Sequence, residues 1–301
     1  MIINRLLVMN LLSVYLIWGT TYYAIKLSID AMPPLLMLSV RFFIAALIIG
    51  VFCLVKRIKF PGNKTTYFWE FIIGNLLLLG GLGSVAFAEK WISSALAAIV
   101  IATVPIWLLA LDFIINKKKL SKTKTLFIAI GFMGIIMLNY YEIKGYNFLA
   151  ITLCLIAPLS WSLGSILHRR VAPENPVNTI VSACLQMFSA SISFAIIFLL
   201  TGNEYYLHLD FIPVVAIIYL IFFGSILAFS SYIYLCNQHI SSALLGSYAY
   251  INPVVAVFIG LVFAGEFIST NGYIAICIIL ISVVLLLFDW ENQGRRNQPA
   301  S

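Results

Sequence analysis

At 301 residues, with 62% hydrophobic and only 10% charged side chains, the chain carries more apolar surface than a water-soluble core of this length can bury. A bilayer must be its solvent. The net charge of +7 does not point to a nucleic-acid partner, because Lys and Arg sit in short loops and are not interleaved with aromatics on a polar domain.

A membrane-spanning helix needs roughly 20 apolar residues, and the chain supplies ten such runs. The first, Leu6–Ile29, follows Arg5 and superficially resembles a secretory leader. It carries Trp18, Thr20, Thr21 and Lys26 and lacks a small-residue cleavage site, so it reads as the first membrane helix. Asn10, Trp18, Tyr22 and Lys26 recur along it at multiples of four, one stripe of a helix. The second span, Leu35–Val55, holds Arg41 about two turns inside its start, where a buried cation needs a partner, a wet cavity or snorkelling. Gly80, Gly81 and Gly83 in the third span, Phe68–Phe87, read as close helix packing. Pro105 falls in the fourth, Ser93–Ile115. The fifth, Thr125–Tyr140, contains Gly131 and Gly134, which suit packing within one bundle or against a second protomer.

The sixth span, Phe148–Leu167, echoes the first with Trp161, Ser165 and, just beyond it, Arg169. Asn178, Ser182, Gln186, Ser189 and Ser193 form a polar stripe along the seventh, Thr179–Leu200, that should face protein or a cavity and not lipid. After the eighth, Phe211–Cys236, the ninth, Ser241–Ala264, aligns Leu244, Tyr248 and Asn252 on one stripe, leaves Ser242, Gly246 and Ala249 as a small face, and carries Pro253. Asn271–Phe288 is the tenth. The cysteines, Cys53, Cys154, Cys184, Cys236 and Cys277, all lie in apolar spans without metal or disulfide spacing and read as packing residues.

With the N-terminus in the cytoplasm, the inner loops hold Arg5; Lys56, Arg57, Lys59 and Lys64; Lys117, Lys118, Lys119, Lys122 and Lys124; Arg169 and Arg170; and Arg295 and Arg296. Lys26, Lys90 and Lys144 fall on the outer side. The bias predicts both termini inside. The chain also repeats itself. Ile92-Ser93-Ser94-Ala95-Leu96 recurs as Ile240-Ser241-Ser242-Ala243-Leu244, and each run meets a proline nine residues after its Leu. Trp18 and Trp161 each precede a basic residue by eight positions, Lys26 and Arg169. Five spans per copy is an odd number, so the second copy must enter the membrane inverted.

The fold expected is therefore all-α, a polytopic membrane protein of ten transmembrane helices in two inverted five-helix repeats. The repeats occupy residues 1–142 and 147–290, with a cytoplasmic tail over 291–301. Several patterns resemble the EamA-domain members of the drug/metabolite transporter superfamily: Trp18-Gly19 with Lys26, Arg41-Phe42, Ala102-Thr103-Val104-Pro105 and Gly131-Phe132-Met133-Gly134 in the first copy. The second adds Ser160-Trp161, Phe223-Gly224-Ser225, Ser247-Tyr248-Ala249-Tyr250-Ile251-Asn252-Pro253 and Gly265-Glu266. That resemblance implies ten helices around a central cavity in the bacterial inner membrane and export or exchange of small metabolites. It does not fix a substrate.

Inverted-repeat transporters place their sites near the midplane, where interrupted helices occupy corresponding positions. Pro105 and Pro253 are that pair here, as hinges or as packing kinks, each freeing the carbonyl four residues earlier at Ile101 or Ala249. The expected cavity residues are Trp18, Tyr22, Trp161, Ser165, Gln186, Tyr248 and Asn252. Lys26 and Arg41 would be anion-binding or structural charges, with Glu89, Glu266 or helix C-terminal carbonyls as structural partners for Arg41. Glu89, Glu266 and Asp112 fall near span ends, and His168 and His239 read as interfacial, a pattern that argues against a proton relay. No HExxH, GxSxG or Walker-type loop is present, so the chain is not expected to be an enzyme. No cofactor or metal is expected. The partners are the lipid bilayer and a small-molecule substrate. The oligomeric state stays open, a monomer included. The reading is a secondary transporter of amino acids or related amphiphilic metabolites working by alternating access; the alternatives are a non-transporting receptor or scaffold, or a channel.

Overall fold

The structure is a computed structural model that describes residues 5–88, 101–117, 122–138, 148–201, 205–208, 210–263 and 270–296. Lys90, the Ile92–Leu96 copy of the repeat, Lys118, Lys119, Lys144 and the acids Glu89 and Glu266 lie outside the described residues.

Apolar run length dictates ten helices. They are α1 (Arg5–Ser28), α2 (Pro34–Val55), α3 (Lys64–Ala88), α4 (Val104–Asn116), α5 (Lys122–Leu138), α6 (Phe148–Val171), α7 (Thr179–Leu200) and α8 (Phe211–Cys236). The ninth, α9, comes in two pieces, Ser242–Gly246 and Tyr248–Phe263, and α10 runs over Thr270–Arg296. Several helices overrun the apolar windows. Asn63 caps α3 by accepting from the Thr66 N–H at 2.7 Å, so α3 starts before its apolar stretch, and α10 continues through a polar last turn. A helix obeys its caps and its backbone bonds, not the hydropathy that reveals it.

The packing obeys an inverted twofold relation between the halves. Helices α2 and α7, α5 and α10, and α4 and α9 each pack against their own repeat mate. Further contacts come in matched pairs: α1 lies on α8 and α9 as α6 lies on α3 and α4, and α3 lies on α7 as α8 lies on α2. Both α3 and α8 also widen into π-helix at corresponding places, Asn75–Gly83 and Leu220–Leu227. π-Segments of this kind tend to mark functional sites.

Around the perimeter, side chains such as Leu47, Val51 and Phe52 of α2 and Phe222 and Phe223 of α8 are exposed, as a lipid-facing surface requires. Inside, small residues let backbones meet. A Cβ at Gly19 of α1 would stand 2.5 Å from Val255 Cβ of α9, and one at Gly74 of α3 would stand 2.6 Å from the Gln186 carbonyl oxygen of α7. Cys53, Cys184 and Cys236 are free and buried in this core, whereas Cys277 faces outward.

Candidate functional site

The prolines act differently from their expected kinks. Ala102 and Thr103 form a turn, and Pro105 sits in the first turn of α4 that follows it, where its missing N–H costs no helical bond. In α9 the interruption is at Ser247, six residues before Pro253. Ser247 bonds back to the Leu244 carbonyl at 2.7 Å and meets the Tyr15 hydroxyl of α1 at 2.5 Å. The matched helices touch at the break: a Cβ on Gly246 would lie 3.1 Å from Pro105 Cα.

Beside these helix ends, residues of both halves line a partly open cavity. Its wall is largely aromatic and aliphatic. Trp18, Thr21, Tyr22 and Ile25 come from α1, Arg41 and Phe42 from α2, Leu78, Gly81, Leu82 and Val85 from α3, Trp161 from α6, Gly224 and Phe229 from α8, and Tyr248 and Asn252 from α9.

A ring cluster centred on the repeat-related tryptophans forms one side. Trp18 lies 5.2 Å from Trp161, 5.2 Å from Tyr232 and 5.1 Å from Tyr248, measured between ring centres, and the contacts to Trp161 and Tyr248 are edge-on. Trp161 lies 5.2 Å from Tyr232. Such pairs contribute about 0.5–1.5 kcal/mol each beyond their buried area. Hydrogen bonds fix the rings: Trp18 Nε1 donates to the Gly224 carbonyl of the α8 π-segment at 3.2 Å, and the Tyr232 hydroxyl meets Ser165 Oγ at 2.6 Å. On the Trp161 side, Gly81 of the α3 π-segment leaves room for the indole, whose Cε3 would lie 2.7 Å from a Cβ there. Asn252, with its amide nitrogen turned toward two carbonyls, donates to Tyr248 O at 3.0 Å and to Tyr15 O at 3.1 Å. It supports α9 as well as lining the cavity.

Arg41 reaches the same cavity, 2% exposed. Its Nε donates to Ser225 Oγ at 2.8 Å, its guanidinium carbon stands 5.0 Å from the Phe42 ring centre, and its Nη1 is buried without an acceptor. The partners named for it, Glu89 and Glu266, lie outside the described residues.

Two polar clusters occupy the end of the bundle where α1 begins. In one, Glu70 of α3 accepts from Ser182 Oγ at 2.9 Å and from Gln186 Nε2 at 2.7 Å, beside His168, whose Nε2 meets Asn237 Oδ1 at 2.9 Å. In the other, Ser242 at the start of α9 donates to Asp112 of α4 and accepts from Arg169 Nη1 of α6 at 3.1 Å; Arg169 also reaches the Ile240 carbonyl. Glu70 lies six residues into α3 and Gln186 seven into α7, about 10 Å from that end. Trp18 to Ile25 lie about 20–30 Å along α1.

Of the expected cavity residues, Trp18, Tyr22, Trp161, Tyr248 and Asn252 do line it, with Arg41. Ser165 does not; it stands behind the rings, bonded to Trp161 O and Tyr232. Gln186 belongs to the Glu70 cluster, because its stripe on α7 meets a carboxylate of α3 before it meets any space. Lys26 is exposed and outside the cavity lining, and neither proline is part of the wall. His168 is buried at 3% exposure and not interfacial, and Asp112 is buried at 6%. Glu70 and Tyr232 carry no signal in the sequence that marks them for these places. Glu70 sits near Lys64 at a span end, where acids are usually solvated, and Tyr232 is one aromatic among many in α8.

This arrangement of two inverted, mutually packed halves with a cavity between them matches a known group. The EamA-like transporter family matches residues 5–140 and again residues 148–288. The chain belongs to that family. It is 36% identical over 277 residues to the inner membrane transporter YedA of Escherichia coli (strain K12), spanning 92% of this chain and 89% of that one. It is 24% identical over 300 residues to a probable amino-acid metabolite efflux pump of Salmonella typhimurium, covering 93% and 94% of the two chains. A solved crystal structure with 19% sequence identity shares the fold, with a TM-score of 0.76 over 95% of this chain and 97% of that one. As an EamA-like transporter the protein is a multi-pass inner-membrane protein, and the twofold match agrees with the inverted packing of its helices.

Proposed function

We propose that this transporter is a secondary carrier that exports or exchanges small metabolites, amino acids or related amphiphilic compounds, by alternating access. The observation that carries this reading is the cavity at the junction of the halves, walled by the mates Trp18 and Trp161 and flanked by the start of α4 and the break in α9. Inverted repeats allow one bundle to exchange the roles of its two ends by rocking one half on the other. The contact of Gly246 with Pro105 and Leu108 is the pivot, where the absence of a side chain on Gly246 lets α9 lie close against α4.

The loop charges orient both termini to the cytoplasm. In that orientation the Glu70 and Asp112 clusters close the cytoplasmic end, and the cavity lies on their outer side. Opening inward then means separating Ser242 from Asp112 and Arg169. The cavity's aromatic lining suits an amphiphilic solute, in keeping with the efflux pump named among the relatives.

The test is counterflow in proteoliposomes with amino acids, amino-acid derivatives, sugars and nucleosides, comparing the natural chain with Tyr248→Phe and Trp18→Ala. Saturable exchange that both variants weaken is expected. Exchange of none of these compounds defeats the carrier reading; voltage-driven, non-saturating flux would make the protein a channel, and binding without movement a receptor.

A further inference from the structure

We infer that the transported solute is an organic monocarboxylate with an apolar or aromatic body, whose carboxylate docks on Arg41. This inference rests on the carrier reading above and narrows it to one chemical class.

Arg41 is the one formally charged side chain among the cavity's described lining residues, and no described carboxylate lines it. A guanidinium offers five N–H donors. Here one is used, by Nε on Ser225, and Nη1 is buried with no acceptor at all. An uncompensated cation at this depth is costly, and a protein retains it where a mobile anion completes the site. Packing against the Phe42 ring supplies part of the missing stabilisation but no hydrogen-bond acceptor.

The wall around Arg41 is shaped for the guanidinium. Gly224 lacks the side chain that would occupy its place: a Cβ there would lie 2.8 Å from Arg41 Nη2 and 3.1 Å from Thr21 Cγ2. The other buried polar atom of the wall without a partner, Trp161 Nε1, is also a donor. Both open valences therefore call for an acceptor. A single cation sets a single negative charge, which a dianion such as a phosphate monoester would exceed. The planar fork matches a carboxylate in bidentate fashion. Trp18, Trp161 and Tyr248 face the remainder of the solute with ring surface, and without a lining acid nothing compensates a free ammonium group. The favoured solute is thus an aryl, alkyl or N-acylated acid more than a zwitterion.

The experiment uses purified full-length protein in nanodiscs at neutral pH and follows tryptophan fluorescence. The titrants are phenylacetate, hexanoate and N-acetylphenylalanine, each paired with its neutral primary amide. Each acid is expected to bind about tenfold or more tightly than its amide, the scale of one charge-assisted contact. Arg41→Gln should erase the preference, and Arg41→Lys should keep part of it. Thermal unfolding separates a docking role from a structural one: Arg41→Gln, relieved of an unmatched charge, should unfold no earlier than the natural chain. The inference is overturned if no acid binds, if amides bind as well as acids, if the preference survives Arg41→Gln, or if that variant is strongly destabilised. Should Arg41→Gln fail to fold, the last outcome applies. The carrier reading fails separately, when no compound of any charge class exchanges across the membrane.

Discussion

Replacing Gly81 by Ala tests how the α3 π-segment shapes the cavity. The added methyl would lie 2.7 Å from Trp161 Cε3 and 3.4 Å from Trp161 Cβ, against an optimum carbon–carbon separation of about 3.5–4.0 Å. The indole can retreat only toward the cavity, because Trp18 and Tyr232 stand 5.2 Å away and Phe229 6.4 Å away, ring centre to ring centre. Alanine favours helix over glycine by up to about 1 kcal/mol, while overpacking of this kind costs about 1–3 kcal/mol. The net expectation is a loss of up to about 2 kcal/mol, together with a Trp161 ring pushed toward the cavity. Unfolding midpoints in detergent, tryptophan emission and counterflow report these effects. Gly62, where a Cβ would meet nothing within 4 Å, is the control. A Gly81→Ala protein that is as stable as the natural chain, with unchanged emission and transport, would refute the reasoning.

The repeat-related tryptophans should differ when cut back to phenylalanine. Trp18→Phe removes the bond to the Gly224 carbonyl and should cost about 1 kcal/mol more stability than Trp161→Phe, whose indole N–H makes no bond; equal denaturation midpoints would contradict this. Glu70→Ala strips the acceptor from Ser182 and Gln186 and should destabilise the bundle by about 1–3 kcal/mol, while Glu70→Gln recovers most of the loss. A stable Glu70→Ala protein would show that the cluster holds nothing. Ser242→Ala cuts the link between Asp112 and Arg169. A cysteine placed at the buried Ala243 should then react severalfold faster with a membrane-impermeant maleimide added from that end, and unchanged labelling would exclude this link as a closure.

The ten helices were legible because a bilayer imposes a local requirement, a run of apolar residues long enough to cross it. The inverted repeat was legible because two copies preserve the same letters around Pro105 and Pro253. Trp18, Tyr22, Tyr248 and Asn252 could be assigned to common stripes from helical periodicity alone, and their stripes meet at the cavity. Periodicity tells which residues share a face, but not what that face meets. Gln186 looked like a cavity residue and instead serves Glu70; Ser165 looked like one and instead holds Tyr232.

The solvent, the number of spans and the inversion follow from the order and length of apolar runs alone. Where the polar side chains spend their hydrogen bonds depends on how the helices pack. That packing moved the break in α9 from Pro253 to Ser247, through a contact with Tyr15 on a helix more than 200 residues away in sequence. It left Arg41 with an open donor beside a cavity. The physical reason is that in a membrane bundle the alternatives open to a buried polar group lie on neighbouring helices, and those neighbours are set by packing between the two halves, not by residues nearby in the chain.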